Sequence, residues 1–316
     1  MDFAHKLDDG NVLMKMAMAM LILVCVVAMF VSPTMTEYAP TGVMLVTSSS
    51  TFALLLIIGF AVGCLGTVVG IGGGPIIIPV LFFFYGWDAQ FLVATSLMIV
   101  FLNALSGSIG YARQKRIDYT GGIRFAAAAL PGAVLSAYVH HLFNIRTFDH
   151  IFGIFLLLLA VYCFLKARHR NWDEPLRRRV SASYRRIAFV DQFAVKYDFR
   201  VSDQLGVFMN LLLGFFVGFL GVGGGVFQVP ILMFLLNYPP HIATATSHFI
   251  TMLTCLLAVI PHLFFGTVHF GEVMWMGAGV LIGAQAGVWV APKIDSRILV
   301  FLFIGVIAVF GIKLLL

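Results

Sequence analysis

The chain has 316 residues, of which 61% are hydrophobic and 11% charged, and its mean hydropathy is +1.00. Soluble domains carry about 25% charged residues, so a soluble globular fold is excluded and an all-α polytopic membrane protein is expected. The formal net charge of +6 does not point to nucleic acid, because residues 166–200 hold half of the 20 Lys and Arg; basic residues clustered in this way report topology.

The first apolar run, residues 12–31, follows Asp8, Asp9 and Lys15. Its partly acidic flank and the lack of an A-x-A site favour a retained helix over a cleaved signal peptide. Residues 34–50 are polar and turn-rich, so 1–50 reads as an N-terminal helix and an external loop. Four apolar blocks follow, at 51–85, 91–112, 123–142 and 148–166, which make 51–166 a first membrane repeat. Residues 167–204 form a basic linker. Four more blocks, at 205–236, 242–265, 273–290 and 298–316, make 205–316 a second repeat. Cys25, Cys64, Cys163 and Cys255 stand isolated in apolar segments and read as small core residues. No spacing suggests a metal site, a cofactor or a catalytic group.

The repeat is legible residue by residue. Residues 63–81 (GCLGTVVGIGGGPIIIPVL) recur at 214–232 (GFFVGFLGVGGGVFQVPIL). Gly72, Gly73 and Gly74 map onto Gly223, Gly224 and Gly225, and Pro79 onto Pro230. Ala94-Thr95-Ser96 maps onto Ala245-Thr246-Ser247, Gly132-Ala133 onto Gly283-Ala284, and Arg146 onto Arg297. A fixed register across Gly, Pro, Thr-Ser and Arg is not expected from chance matching of apolar residues.

Lys and Arg in short loops set the expected orientation. The linker is placed in the cytoplasm, Arg113, Lys115 and Arg116 with it, and residues 85–90 and 143–147 outside. Lys6 and Lys15 suggest a cytoplasmic N-terminus. Block 51–85 must then begin and end outside, which fits a hairpin or re-entrant element broken at its glycines. Lys293 and Arg297 then fall inside. Each repeat crosses an odd number of times, so two copies in series are inverted. A single bent crossing at 51–85 would instead make the repeats parallel.

Triple glycine breaks a membrane helix, and Pro75 suits the first position of the helix that restarts. A restarted helix presents N–H groups without intrahelical partners, which attract an anion. Gly59/Gly63 and Gly214/Gly218 have the spacing of helix-packing glycines. No Gly-Lys-Ser/Thr or strand context accompanies the triplets, so nucleotide binding is not indicated. Asp88, Asp118, Asp295 and Glu272 sit at predicted block ends, and the missing intramembrane carboxylates argue against a carboxylate cation site. Thr95, Ser96, Thr246 and Ser247 could donate hydroxyls to a substrate, or back-bond to their own helices. Gln228 and His248 face Ile77 and Leu97 in the other copy. His248 is the first candidate for proton coupling; Asn103 and His262 are weaker ones. His140, His141, His241 and His269 read as interfacial. The linker reads either as a solvated topogenic loop or as a basic amphipathic surface on an anionic leaflet.

Paired Gly-Gly-Gly segments with a following proline and leucine, then Ala-Thr-Ser, resemble the TauE/SafE sulfite exporter family, also called the toluene-sulfonate uptake permease family. The resemblance covers residues 51–316. It implies a multi-pass transporter of the bacterial inner membrane that moves sulfite, organosulfonates or related sulfur oxyanions. The expected partners are that anion, protons and membrane lipid, with a homodimer left open. The site expected from residues and resemblance together is Gly72, Gly73, Gly74, Pro75, Thr95, Ser96, Gly223, Gly224, Gly225, Gln228, Thr246 and Ser247, with His248 coupling protons by alternating access. A passive anion channel is the alternative. Pro75 stands opposite Val226, so the two half-sites should differ.

Overall fold

The computed structural model describes residues 49–139 except 86 and 88, scattered positions between 154 and 168, and residues 184–315 except 221 and 222. The expected N-terminal helix and most of block 148–166 lie outside the described residues. Helix α1 (Ser49–Val69) stops where Gly70 turns to φ +87°, α2 (Gly74–Tyr85) restarts after the glycines, and α3 (Ala89–Arg113) follows. Helix α4 (Tyr119–Val139) begins behind Asp118, whose carboxylate accepts the Gly121 N–H at 3.2 Å as an N-cap does. Helix α5 (Asp203–Leu220) leads to the second break, and α6 (Gly225–Pro230) runs on as one π turn, Ile231–Leu235. Pro230 has no N–H to give the regular ladder, which accounts for the widened turn. Helices α7 (Pro240–Phe264), α8 (Phe270–Val290) and α9 (Ser296–Leu315) complete the chain. Four stretches, Phe52–Val69, Phe91–Arg113, Pro240–Phe264 and Phe270–Lys293, are long and apolar enough to cross a membrane.

Equivalent elements keep the register of the glycines. Helices α3 and α7 start at 89 and 240 and end at 113 and 264; α4 and α8 start at 119 and 270 and end at 139 and 290. Packing follows the small residues. Gly59 and Gly63 lie directly on the Met276 and Val280 backbone, and Gly279 and Gly283 on that of Leu56 and Phe60, so α1 and α8 meet backbone to backbone. Gly214 does the same against Ala129, joining α5 to α4.

The apolar spans are helical as expected, and the linker adds a small β element. Residues Arg185–Val190 (β1) and Lys196–Val201 (β2) form an antiparallel hairpin, with Arg185 opposite Val201 and Val190 opposite Lys196. Its turn is shaped by Asp191, which accepts N–H groups from Phe193 (2.8 Å) and Val195 (2.9 Å). The hairpin is neither a free loop nor a surface lying apart. Arg185 Nη2 reaches Asp118 at 2.6 Å and its Nε reaches Asp203 at 3.0 Å, and Arg124 also pairs with Asp203. The Tyr238 hydroxyl donates to Asp118 at 2.7 Å. Arg116 pairs with Asp191 at 2.9 Å, with side chains only 4% and 0% exposed. These charges looked solvated in the sequence because their partners are far away in the chain.

Burial alone would raise the Asp118 carboxyl, but Arg185, Tyr238 and the Gly121 N–H hold it below the usual carboxylate range. Burial opposes Asp191 likewise, and the Val195 N–H and Arg116 outweigh it. Depressed folded-state values mean that both groups contribute full stability above the ordinary value of 3.8 and lose it as pH falls from there through the folded-state values. The hairpin should therefore stay docked throughout the neutral range. Asp191→Asn leaves Arg116 buried and unpaired, and should cost about 3–5 kcal/mol. Limited trypsin digestion at pH 7 should then cut at Lys196 and Arg200, sites that stay protected in the parent protein.

Candidate functional site

The first break turns back on its own helix. The Gly72 N–H donates to the Gly66 carbonyl at 3.3 Å, and a Cβ on Gly73 would lie 2.8 Å from Val62 Cγ1. At Gly72 (φ +73°) and Gly223 (φ +72°) the backbone occupies the left-handed region, where a side chain is strained. These two equivalent glycines share neighbours: a Cβ on either would meet Val100 Cγ1, at 3.1 and 2.6 Å, and Thr251 Cγ2, at 3.4 and 3.5 Å. Val100 and Thr251 are themselves equivalent positions on α3 and α7. The second break rests directly on the first, since a Cβ on Gly225 would meet the Gly70 oxygen at 2.5 Å and Ile71 Cα at 2.6 Å. The two interruptions thus meet in the buried centre.

Polar groups brace the breaks. Asn103 Nδ2 donates to the Gly72 carbonyl at 2.9 Å, and its Oδ1 accepts the Thr67 hydroxyl at 3.1 Å. Ser247 Oγ donates to the Gly70 carbonyl at 3.0 Å, so α7 holds the first break. In the restarted helices the first N–H groups to find carbonyls are those of Ile76, on Gly73 (2.9 Å), and Phe227, on Gly224 (3.2 Å). The N–H groups of Gly74, Gly225 and Val226 come earlier and lie at the helix mouths, where no intrahelical acceptor exists. No side chain caps α6, and neither α2 nor α6 has an acidic residue in its first turn.

The expected site residues divide by what they touch. Gly72, Gly73, Gly223, Gly224 and Gly225 come together at the junction; Gly74 begins α2 and Pro75 follows it. Thr95 and Thr246 serve helix starts: Thr95 Oγ1 accepts the His269 N–H at 3.2 Å, and Thr246 Oγ1 accepts the Asp118 N–H at 3.1 Å. These two bonds are equivalents of each other. Ser96 is fully buried on α3. Gln228 and His248 are each 1% exposed. Gln228 Nε2 and both His248 ring nitrogens lack a hydrogen-bond partner; the Thr244 carbonyl, one turn back, is near enough to act on His248 electrostatically but not in bonding geometry. The His248 ring sits on Gly107, where a Cβ would fall 2.5 Å from Cδ2, and edge-on to Tyr111 with centroids 5.7 Å apart. His262 and His269 are elsewhere, His262 beside Thr267 (3.3 Å) and His269 stacked on Trp87 (4.0 Å).

Sequence reasoning missed Thr251, whose Oγ1 is buried, unpartnered and close to the place where a Gly224 Cβ would stand, 3.7 Å away. It also missed Thr67 and Gly107. Thr251 lies on the Thr246–Ser247 helix about one turn further on, so helical spacing was the available signal.

Apolar helices able to span a bilayer, interrupted twice at a buried meeting point lined with unpaired polar atoms, define a multi-pass membrane transporter. A family model described as "Sulfite exporter TauE/SafE" matches residues 3–112 and 54–314. The chain is 30% identical to the probable membrane transporter protein YunE of Bacillus subtilis, over 84% of this chain and 97% of that one. It is 27% identical to a probable membrane transporter protein of Methanocaldococcus jannaschii, over 83% and 95% of the two chains. No solved structure matches it. The chain belongs to the TauE/SafE family.

Left-handed glycines predict a steep local sensitivity. Gly223→Ala combines backbone strain of about 1–2 kcal/mol with overpacking against Val100 of about 1–3 kcal/mol. Gly271→Ala, where nothing lies within 4 Å of the new Cβ, should be neutral. Thermal unfolding of the two variants in detergent should separate them clearly.

Proposed function

We propose that the protein is a secondary transporter that carries a small sulfur oxyanion, sulfite or an organosulfonate, across the bacterial inner membrane by alternating access. The observation that carries this reading is the pair of helix restarts packed against each other, with first-turn N–H groups that have no intrahelical acceptor, no carboxylate in either first turn, and the unpartnered Thr251 Oγ1 beside Gly224, with Gln228 Nε2 unpartnered in the second restarted helix. Such a place offers hydrogen bonds and positive potential without a buried Arg, which suits a compact anion with several acceptor oxygens. In the closed arrangement the breaks touch. Parting them creates the anion's space, with Gly72, Gly73 and Gly74 on one side and Gly223, Gly224 and Gly225 on the other. His248 serves as the proton-coupling group, since its ring is buried at the α3–α7 contact with both nitrogens unbonded.

The two repeats are read as inverted about an axis in the membrane plane. The constant register, the equivalent bonds of Thr95 and Thr246, and the doubling back of the chain at Gly73 support this reading. The hairpin side then faces the cytoplasm, as does the N-terminus.

The test is flux in proteoliposomes with sulfite, sulfate, taurine and sulfoacetate, with and without a pH gradient. A proton-driven carrier accumulates its anion against a gradient; a passive channel only equilibrates it. Gly224→Val, at a helical φ of −68°, should abolish flux while leaving folded protein in the membrane, and unchanged flux in that variant would sink the site. His248→Gln should lose the response to the pH gradient yet keep downhill exchange. A response equal to the parent's would remove His248 from coupling.

A further inference from the structure

Alternating access needs two bodies that move against each other, and the simplest division is the first repeat against the second. The packing points elsewhere. Helix α1 is zipped to α8 by Gly59, Gly63, Gly279 and Gly283, each backbone on backbone. Helix α3 is tied to the same α8: Ser106 Oγ donates to the Leu281 carbonyl (2.8 Å), Gln285 Nε2 donates to the Ser106 carbonyl (2.6 Å), and Gln114 Nε2 donates to the Val288 carbonyl (2.8 Å). On the other side, α5 is zipped to α4 at Gly132 and Gly214. Helix α7 joins α4 through the Thr246–Asp118 bond and the edge-to-face pair of Tyr119 and Phe249, with centroids 5.3 Å apart.

We infer that the moving bodies are two exchanged bundles, α1–α3–α8 and α5–α7–α4, each made of two helices from one repeat and one helix of the other. This rests on the transport reading above. Their contact is the α3–α7 crossing together with the packed glycine breaks, and the Ser247 hydroxyl bonds across it to the Gly70 carbonyl at 3.0 Å. His248 of α7 lies on Gly107 and Tyr111 of α3 with both nitrogens unbonded, and Thr251 Oγ1 is likewise unbonded. Backbone-to-backbone zippers and several buried hydrogen bonds hold each body, whereas His248 slides over glycine without a bond of its own to break, and the Ser247–Gly70 bond is the one given up when the bodies part. The glycine breaks sit at this same crossing, so relative motion of the bodies opens the anion's space directly.

The exchange also locates the hinges. The chain passes from one body to the other between α3 and α4 and again between α7 and α8. Each passage contains a residue in the left-handed region, Lys115 (φ +57°) and Gly266 (φ +65°), at equivalent positions. The hairpin grips the first passage from both sides: Arg116 pairs with Asp191, the Gln192 N–H donates to the Gln114 carbonyl at 3.0 Å, and Arg185 pairs with Asp118. The hairpin is therefore a strap over one hinge.

Disulfide locking separates the two divisions. In a background with all four cysteines replaced, the pair Phe52→Cys with Trp275→Cys links α1 to α8, whose rings stack here at 4.8 Å; Tyr119→Cys with Phe249→Cys links α4 to α7. Both links join the first repeat to the second but stay inside one exchanged bundle. Both pairs should cross-link readily, shown by a mobility shift on non-reducing gels. Oxidised protein should then transport as fast as the same protein reduced. A loss of flux on oxidation that dithiothreitol restores would overturn the exchanged bodies in favour of the sequence halves, and so would failure of either pair to cross-link. If the reduced variants and the parent move none of the four anions, the transport reading itself falls and takes the body assignment with it, a result distinct from oxidation-dependent loss.

Discussion

Backbone ends inside a membrane protein have to be hidden from hydrocarbon, and this fold hides them by setting one broken helix on the other. An unsatisfied peptide group in an apolar medium costs several kcal/mol, and each interruption creates several. Gly225 lies on the Gly70 carbonyl and the Ile71 backbone, and Val100 and Thr251 pack over Gly72 and Gly223 alike. Ser247 and Asn103 give hydroxyl and amide donors to the Gly70 and Gly72 carbonyls. A side chain at Gly225 or Gly223 would push the two breaks apart. The long helices α3 and α7 cross at this point because they carry the residues that seal it.

How much was readable in the sequence depended on how local the cause was. Glycine and proline act through their own backbone, so the breaks, their register and their pairing were visible, and so was the apolar character of the spans. The position of Thr95 and Thr246 was visible too, but their partners were not. Each hydroxyl holds the start of a helix more than 120 residues away, and nothing in a hydroxyl's sequence context names so distant an N–H. The hairpin was hidden for the same reason. Arg185 reads as a solvated linker charge until Asp118, Asp203 and Tyr238 are brought beside it. The packing of α8 on α1 and of α4 on α5 leaves its trace in small residues whose partners lie on the opposite repeat.

The pseudo-symmetry then becomes a measure of what folding alone requires. The two copies share a register but not every backbone angle, since Gly73 lies at φ +85° and Gly224 at −68°, so what can be compared directly is the burial of paired positions. Ile77 and Leu97 are fully buried, and their counterparts Gln228 and His248 are 1% exposed. The first copy fills its two places with apolar side chains and the second with polar ones of equal burial. Leaving a buried donor or acceptor unpaired costs about 1–3 kcal/mol, and Gln228 and His248 each leave such atoms, with Thr251 adding another opposite the apolar Val100. A bundle that could have used isoleucine, leucine and valine at all three places carries these costs on one side of the junction alone. On the transport reading proposed above, that asymmetry is what a ligand pairing with those atoms when the breaks part requires. On that proposed reading the second repeat supplies recognition and coupling, and the first supplies the wall against which they work.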